Sequence, residues 1–299
     1  MVFFPLLLAA TLAQGTGLVE GAAGDPFWAA KASTNEARVA LAVSDGRNMP
    51  FIKAKLNGVE CTLLFDTGAT HTTFDLGFVR KALPEADLVP VMLVGDSNVE
   101  GAPKFFKAVT LEIGDAKFED FGAMALDLSH LPSALGTKVD GILGMNTIGR
   151  VPMLLSLSKG EVVFSPGEEC RKGFDKVTGR FKGDPMSIML KAVHDGRAFG
   201  MIVDSGASMT FLLAATGWPA TGEKAGFSAV DINGSTGLAP RKGEPGSLAV
   251  GPDLSLEISP LVVDSRDPSM NRIGSDTLRR YDMLVDGFEV SFRKVEHPL

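Results

Sequence analysis

Cysteine is almost absent from this chain. Cys61 and Cys170 are the only two in 299 residues, too few for a disulfide scaffold and without the spacing of metal ligands. They either form a single bridge, which an exported protein permits, or remain two unpaired thiols. Histidine is also scarce, and His71, His130, His194 and His297 are scattered. No His-Glu-x-x-His and no Gly-x-Ser-x-Gly occurs, which argues against a zinc hydrolase and against a serine nucleophile. There is no Lys/Arg block, and 29 basic against 36 acidic residues leave a net charge of -7, so nucleic acid is not an expected partner. No cofactor and no metal is expected either.

Apolar runs of bilayer length are missing as well. The opening residues, "MVFFPLLLAATLAQGTGLVEGAAG", carry no charged side chain before Glu20 but are too short to span a membrane. They read as a secretory signal peptide over residues 1–23, with small-residue cleavage sites after Ala13 or Ala23. The mature protein is therefore expected to be soluble, without a membrane partner, and exported, either secreted or periplasmic. A hydrophobic content of 45% is enough for a real core, and the length allows one large domain or two lobes.

What is present is a pattern that occurs twice. "LLFDTGATHTTF" (63–74) drives an apolar run onto Asp66, Thr67, Gly68, Ala69 and Thr70, and "GMIVDSGASMTF" (200–211) does the same onto Asp204, Ser205, Gly206, Ala207 and Ser208. Asp-(Ser/Thr)-Gly occurs nowhere else. Upstream of each lie two apolar stretches around Asn-Gly or Asp-Gly, the signature of a β-hairpin. Downstream, Gly114 follows Asp66 by 48 residues (114 − 66) and Gly251 follows Asp204 by 47 (251 − 204). Further on, "GILGMNTIGRVPMLLSLSKGEVVF" matches "NRIGSDTLRRYDMLVDGFEVSF". That alignment places Gly144 with Gly274, Asn146 with Asp276, Thr147 with Thr277 and Met153-Leu154 with Met283-Leu284. Four blocks in one order predict an internal duplication.

The short Val-, Ile-, Leu- and Phe-rich blocks between Gly, Asp-Gly and Pro turns predict a mainly β fold with few helices. One helix is expected within "FDLGFVRKALPEA" (74–86) and one in "SDTLRRY" (275–281). The domain plan is a first lobe over 24–168 containing Asp66, a linker rich in charge, Gly and Pro over 169–184, and a second lobe over 185–299 containing Asp204. The Asp-Gly pairs at Asp45, Asp140, Asp195 and Asp286 read as ordinary turns.

Two similar lobes around an approximate two-fold axis would bring Asp66 and Asp204 face to face. Carboxylates in contact share a proton, the situation for which the aspartic-protease dyad is the standard example. Such a pair can hold a water, one carboxylate acting as base on it and the other as acid on an amide carbonyl. The glycines allow a tight turn and close approach, and the Thr67 and Ser205 hydroxyls can tie the two loops together. Two carboxylates that merely cap turns are the alternative, disfavoured by the apolar lead-ins and the duplication.

These residues resemble the pepsin-like (A1-type) aspartic proteases, bilobal enzymes with Asp-Thr-Gly in one lobe and Asp-Ser-Gly in the other. The resemblance covers almost all of the mature chain. It implies a bilobal fold of two β-barrel-like lobes with a cleft between them, a polypeptide substrate, endopeptidase activity with Asp66 and Asp204 catalytic, and a monomer, since one chain supplies both acids. The family's hydrophobic-hydrophobic-Gly motif matches Ile142-Leu143-Gly144 and, less well, Arg272-Ile273-Gly274. After each catalytic glycine stands alanine, Ala69 and Ala207, where pepsin has a hydroxyl residue; retroviral proteases also carry alanine there. Loss of that hydrogen bond to the ionised carboxylate implies a higher working pH than pepsin's, mildly acidic to neutral. The family also closes a flap over its substrate. The segment that corresponds to it, 91–111, has Gly95, Asp96, Ser97 and Gly101 at its centre and Phe105 and Phe106 as its nearest aromatics, while the one tyrosine, Tyr281, lies elsewhere. The Gly/Pro-rich loop at 232–246 is its counterpart in the second lobe. Because relatives of pepsin also serve as inhibitors or binding proteins, a catalytically inactive binding protein is the alternative function.

Overall fold

The computed structural model describes residues 30–44, 48–90, 103–174, 179–180, 187–225, 230–231, 234–235, 239–251, 254–287 and 289–296. The expected signal peptide 1–23, the flap centre with Gly95, Asp96, Ser97 and Gly101, and the turn at Asp45 lie outside those residues.

The two predicted hairpins form. Pro50–Leu56 pairs antiparallel with Val59–Phe65, and Met189–His194 with Arg197–Val203. Each turns on two residues of positive φ, Asn57 (47°) and Gly58 (82°) in one, Asp195 (46°) and Gly196 (74°) in the other. This is the backbone that a two-residue turn of matching twist requires, and Asn, Asp and Gly adopt it at least cost.

In the first half, six strands close into a ring: Ala116–Leu126, Thr73–Asp75, Gly141–Leu143, Val59–Phe65, Pro50–Leu56 and Lys104–Ile113, the last pairing back onto the first. Phe106, Phe118 and Phe121 fill it together with Leu63 and Phe65. The second half repeats the arrangement but is open. Where the first half runs one long strand, Ala116–Leu126, the second has two pieces, Ser255–Ile258 and Leu261–Val263, separated at Pro260. Proline has no N–H for a ladder, so the pairing breaks there, and the Pro260 carbonyl instead accepts from Gly243 N (2.8 Å). The two β-barrel-like lobes expected from the resemblance are thus one closed six-stranded barrel and one half-barrel.

A third sheet joins the halves. Met153–Ser156 of the first pairs antiparallel with Tyr281–Asp286 of the second, in the register Met153 to Val285, Leu154 to Leu284 and Leu155 to Met283. Leu154 and Leu284 occupy matched positions of the duplication and pair with each other, so the pseudo-two-fold axis passes between them. Glu161–Phe164, Glu289–Lys294, Ala37–Ala40 and the short Gly179–Arg180 complete this sheet. The chain is thus mainly β and two-lobed.

Helices are short. The helix expected within 74–86 spans Leu76–Ala82, started by the Asp75 side chain accepting from Phe78 N (2.9 Å), and the second spans Ser275–Leu278. Both cysteines are free, which settles their pairing. Cys61 is buried in its strand, and burial pushes its thiol up to about 12, the behaviour of a structural, unreactive sulfur. Asp140 is corrected from a turn residue to a buried anchor: its carboxylate accepts from Thr62 N (2.9 Å) and pairs with Lys138 (3.1 Å).

Candidate active site

Asp66 and Asp204 sit at the ends of the inner hairpin strands, Val59–Phe65 and Arg197–Val203. A parallel neighbour runs beside each. Gly141–Leu143 lies against the first and Arg272–Ile273 against the second, and these neighbours hold the acids' backbones through Asp66 N to Leu143 O (3.1 Å) and Asp204 N to Ile273 O (3.0 Å). The chain then passes tightly under each loop. A Cβ on Gly144 would overlap the His71 carbonyl, and one on Gly274 the Met209 carbonyl. Glycine is therefore required at both, which is the physical content of the motif Ile142, Leu143, Gly144 and its counterpart Ile273, Gly274.

The two loops meet. Thr67 Oγ1 donates to Val203 O (2.8 Å) and accepts from Ser205 N (3.0 Å), while Ser205 Oγ donates to Phe65 O (2.7 Å) and accepts from Thr67 N (3.1 Å). Gly68 and Gly206 lie so close to the opposite acids that a Cβ on Gly68 would enter the Asp204 carboxyl and one on Gly206 the Asp66 carboxyl. Ala69 and Ala207 contribute backbone: Asp66 Oδ1 accepts from Gly68 N (2.8 Å) and Ala69 N (3.0 Å), and Asp204 Oδ1 from Ala207 N (2.9 Å). Thr70 is buried with its hydroxyl bonded to His71 Nδ1 (2.8 Å), so His71 is a packed residue of the loop. Ser208 is buried as well.

Both acids are fully buried. Burial and the neighbouring Asp204 carboxyl push the Asp66 carboxyl well above the ordinary range, the Gly68 N–H and the Arg272 charge pulling the other way. Among the described residues, Asp66 Oδ2 accepts from no N–H or O–H group. A buried pair of carboxyls in contact, one of them holding a proton, can serve as an acid and a base at once.

A further layer repeats in both halves. The Thr72 hydroxyl meets that of Thr147 (2.7 Å), and the Thr210 hydroxyl that of Thr277 (2.7 Å). Gly144 N donates to Thr72 Oγ1 (3.0 Å) and Gly274 N to Thr210 Oγ1 (3.1 Å). The duplication aligns Thr147 with Thr277 and Asn146 with Asp276, and by itself gives them no task. Their matched positions were the available signal. Arg272, an imperfect motif residue by sequence, is buried and ion-paired with Asp204 Oδ2. Phe105 and Phe106 are buried in their strand, and Tyr281 lies in the joining sheet with its hydroxyl accepting from Glu257 N (3.1 Å).

Residues 52–147, which carry Asp66 and the Gly144 crossing, match the family described as Aspartyl protease. No curated protein matches the chain. Among solved structures, the chain is similar to a retropepsin-like aspartic protease from Rickettsia conorii at 19% identity, over 46% of this chain and 96% of that one, with a TM-score of 0.31. The family match supports an aspartic protease, and thus a hydrolase of the protease class.

Proposed function

We propose that the protein is an aspartic endopeptidase in which Asp66 and Asp204, brought together from lobes 24–168 and 185–299 of a single chain, hydrolyse a polypeptide with one activated water. The water oxygen bonds to the amide carbon as one carboxylate takes its proton, and the other carboxyl gives a proton to the carbonyl oxygen. The tetrahedral diol then collapses. Its C–N bond breaks as the amide nitrogen takes a proton from the pair, and a diol hydroxyl returns one.

The observation that carries this reading is the burial of both carboxyls, each against the glycine of the opposite loop, at loops locked together by Thr67 and Ser205. Ionised carboxylates avoid such burial unless paired, and one proton shared between them resolves the cost. Since one chain supplies both acids, a monomer suffices, and the apolar N-terminal sequence fits an exported enzyme.

The test is cleavage of a denatured polypeptide across pH, with and without a statine-type inhibitor, by the wild type and by D66N and D204N. Inhibitable cleavage that both substitutions abolish is expected. A folded wild type that cleaves nothing at any pH would overturn the reading and leave a binding protein on a protease fold.

A further inference from the structure

The two halves differ at one point beside the acids. Ile142 pairs with Leu64 and opposes Thr73; its counterpart Arg272 pairs with Ile202 and opposes Phe211. Leu64 and Ile202 each lie two residues before an acid, and Thr73 and Phe211 each seven after. Ile142 is apolar and packs with Leu64 and Ala69. Arg272 instead turns a guanidinium into the interior, with 2% of its side chain exposed, and bonds Asp204 Oδ2 through Nη1. Its Nε has no acceptor among the described residues. A buried cation is costly and is offset only by a close anionic partner. Here that partner is one member of the candidate catalytic pair, and among the described residues no cation is ion-paired with the other.

We propose that Arg272 is a positioning residue that pins the negative charge of the singly protonated pair on Asp204, leaving Asp66 to carry the proton. This rests on the reading of the two acids as an acid–base pair. It assigns their roles. Asp204 takes the proton of the attacking water as the water oxygen bonds to the amide carbon, and Asp66 gives its proton to the carbonyl oxygen, so the charge moves to Asp66. The guanidinium then favours its return: Asp204 gives its proton to the departing nitrogen as the C–N bond breaks, Asp66 takes one from a diol hydroxyl, and the starting state is restored with no net change in charge.

The groups that carry charge at this point are Asp66, Asp204 and Arg272. On neighbouring elements, Asp276 accepts from the Thr210 hydroxyl (2.8 Å) and His71 is bonded to Thr70 (2.8 Å). Both have other partners.

The experiment has two arms. In the wild type, 13C-labelled aspartate NMR at the working pH, with signals assigned through D66N and D204N, is expected to place the neutral carboxyl on Asp66 and the carboxylate on Asp204. The reverse placement overturns the proposal, whether or not the protein cleaves peptides. In the second arm, kcat/KM is followed against pH for R272M and R272K. Losing the cation makes the singly charged pair harder to form, so the acid limb of R272M moves up by about 1 pH or more, while R272K keeps a cation and returns toward the wild-type profile. A folded R272M with an unchanged profile overturns the proposal. Should R272M fail to fold, the wild-type NMR decides alone. A wild type inert toward peptides refutes the proposed function and still leaves the charge location to be read.

Discussion

Thr67 and Ser205 are 138 residues apart, yet each donates its hydroxyl to a backbone carbonyl of the other half and accepts the other's backbone N–H at 3.0–3.1 Å. The four bonds form a closed, nearly symmetric knot beneath the two acids. All of its groups are buried, so each bond is made in a low dielectric and is expensive to leave unmade.

Replacing Thr67 by Val keeps the shape and removes both the donor to Val203 O and the acceptor for Ser205 N. A loss of about 2–4 kcal/mol in stability is expected from two stranded buried groups, with activity falling further because the acids separate. T67S is expected to stay near the wild type. Denaturant unfolding alongside peptide hydrolysis checks this; equal stability of T67V and wild type would show that the knot is not what joins the halves.

Gly68→Ala and Gly206→Ala each push a methyl into the opposite carboxyl. Overpacking of this kind typically costs about 1–3 kcal/mol. The two variants are expected to lose cleavage almost completely while keeping β-type circular dichroism. An active G68A would mean that the acids do not sit against the loops.

Ala69 and Ala207 place only backbone N–H groups near the acids, and Asp66 is held well above the ordinary carboxylate range. A hydroxyl donating to the ionised form would lower that value. The basic limb of the pH–rate profile is therefore expected to move to lower pH in A69S, with the wild type working between mildly acidic and neutral pH. A wild-type maximum well below about pH 4, in the unperturbed carboxyl range, contradicts this.

Asp276 is raised to about 6, chiefly by burial. A raised carboxyl binds its proton more tightly when folded, so its contribution to stability is fully present below the unfolded value and is lost as pH rises through about 6. Its counterpart Asn146 offers the same oxygen without the charge, accepting from Thr72 N (2.8 Å). D276N is thus expected to melt about 2–4 °C higher than the wild type at pH 7–8, on the scale of about 1 kcal/mol, and at the same temperature near pH 4. Parallel melting curves at both pH values check it, and a D276N that melts lower at pH 8 rejects the assignment.

The duplication made much of this site legible. Asp66, Asp204, the hairpins and Gly144 with Gly274 announce themselves because local chemistry repeats at fixed intervals. Asp140 was misread because Asp-Gly looks the same in a turn and at the entry to a strand. What distinguishes it is Thr62 N, 78 residues away. Arg272 was seen as a motif residue of the wrong type, and its partner, 68 residues off, follows from parallel pairing of Arg272–Ile273 with Arg197–Val203, which no short-range pattern encodes.

The amino-acid sequence by itself determined the strands, their turns, and the placement of an acid, a hydroxyl residue and a glycine at each of two matched points, because alternation, Asn-Gly or Asp-Gly turns and duplication act over short or periodic distances. The tertiary structure decided which barrel closes, that the loops of the two acids interlock, and that a buried guanidinium is ion-paired with Asp204. Those outcomes depend on strand neighbours and on the axis between Leu154 and Leu284, and contacts of that kind exist only once the halves have packed.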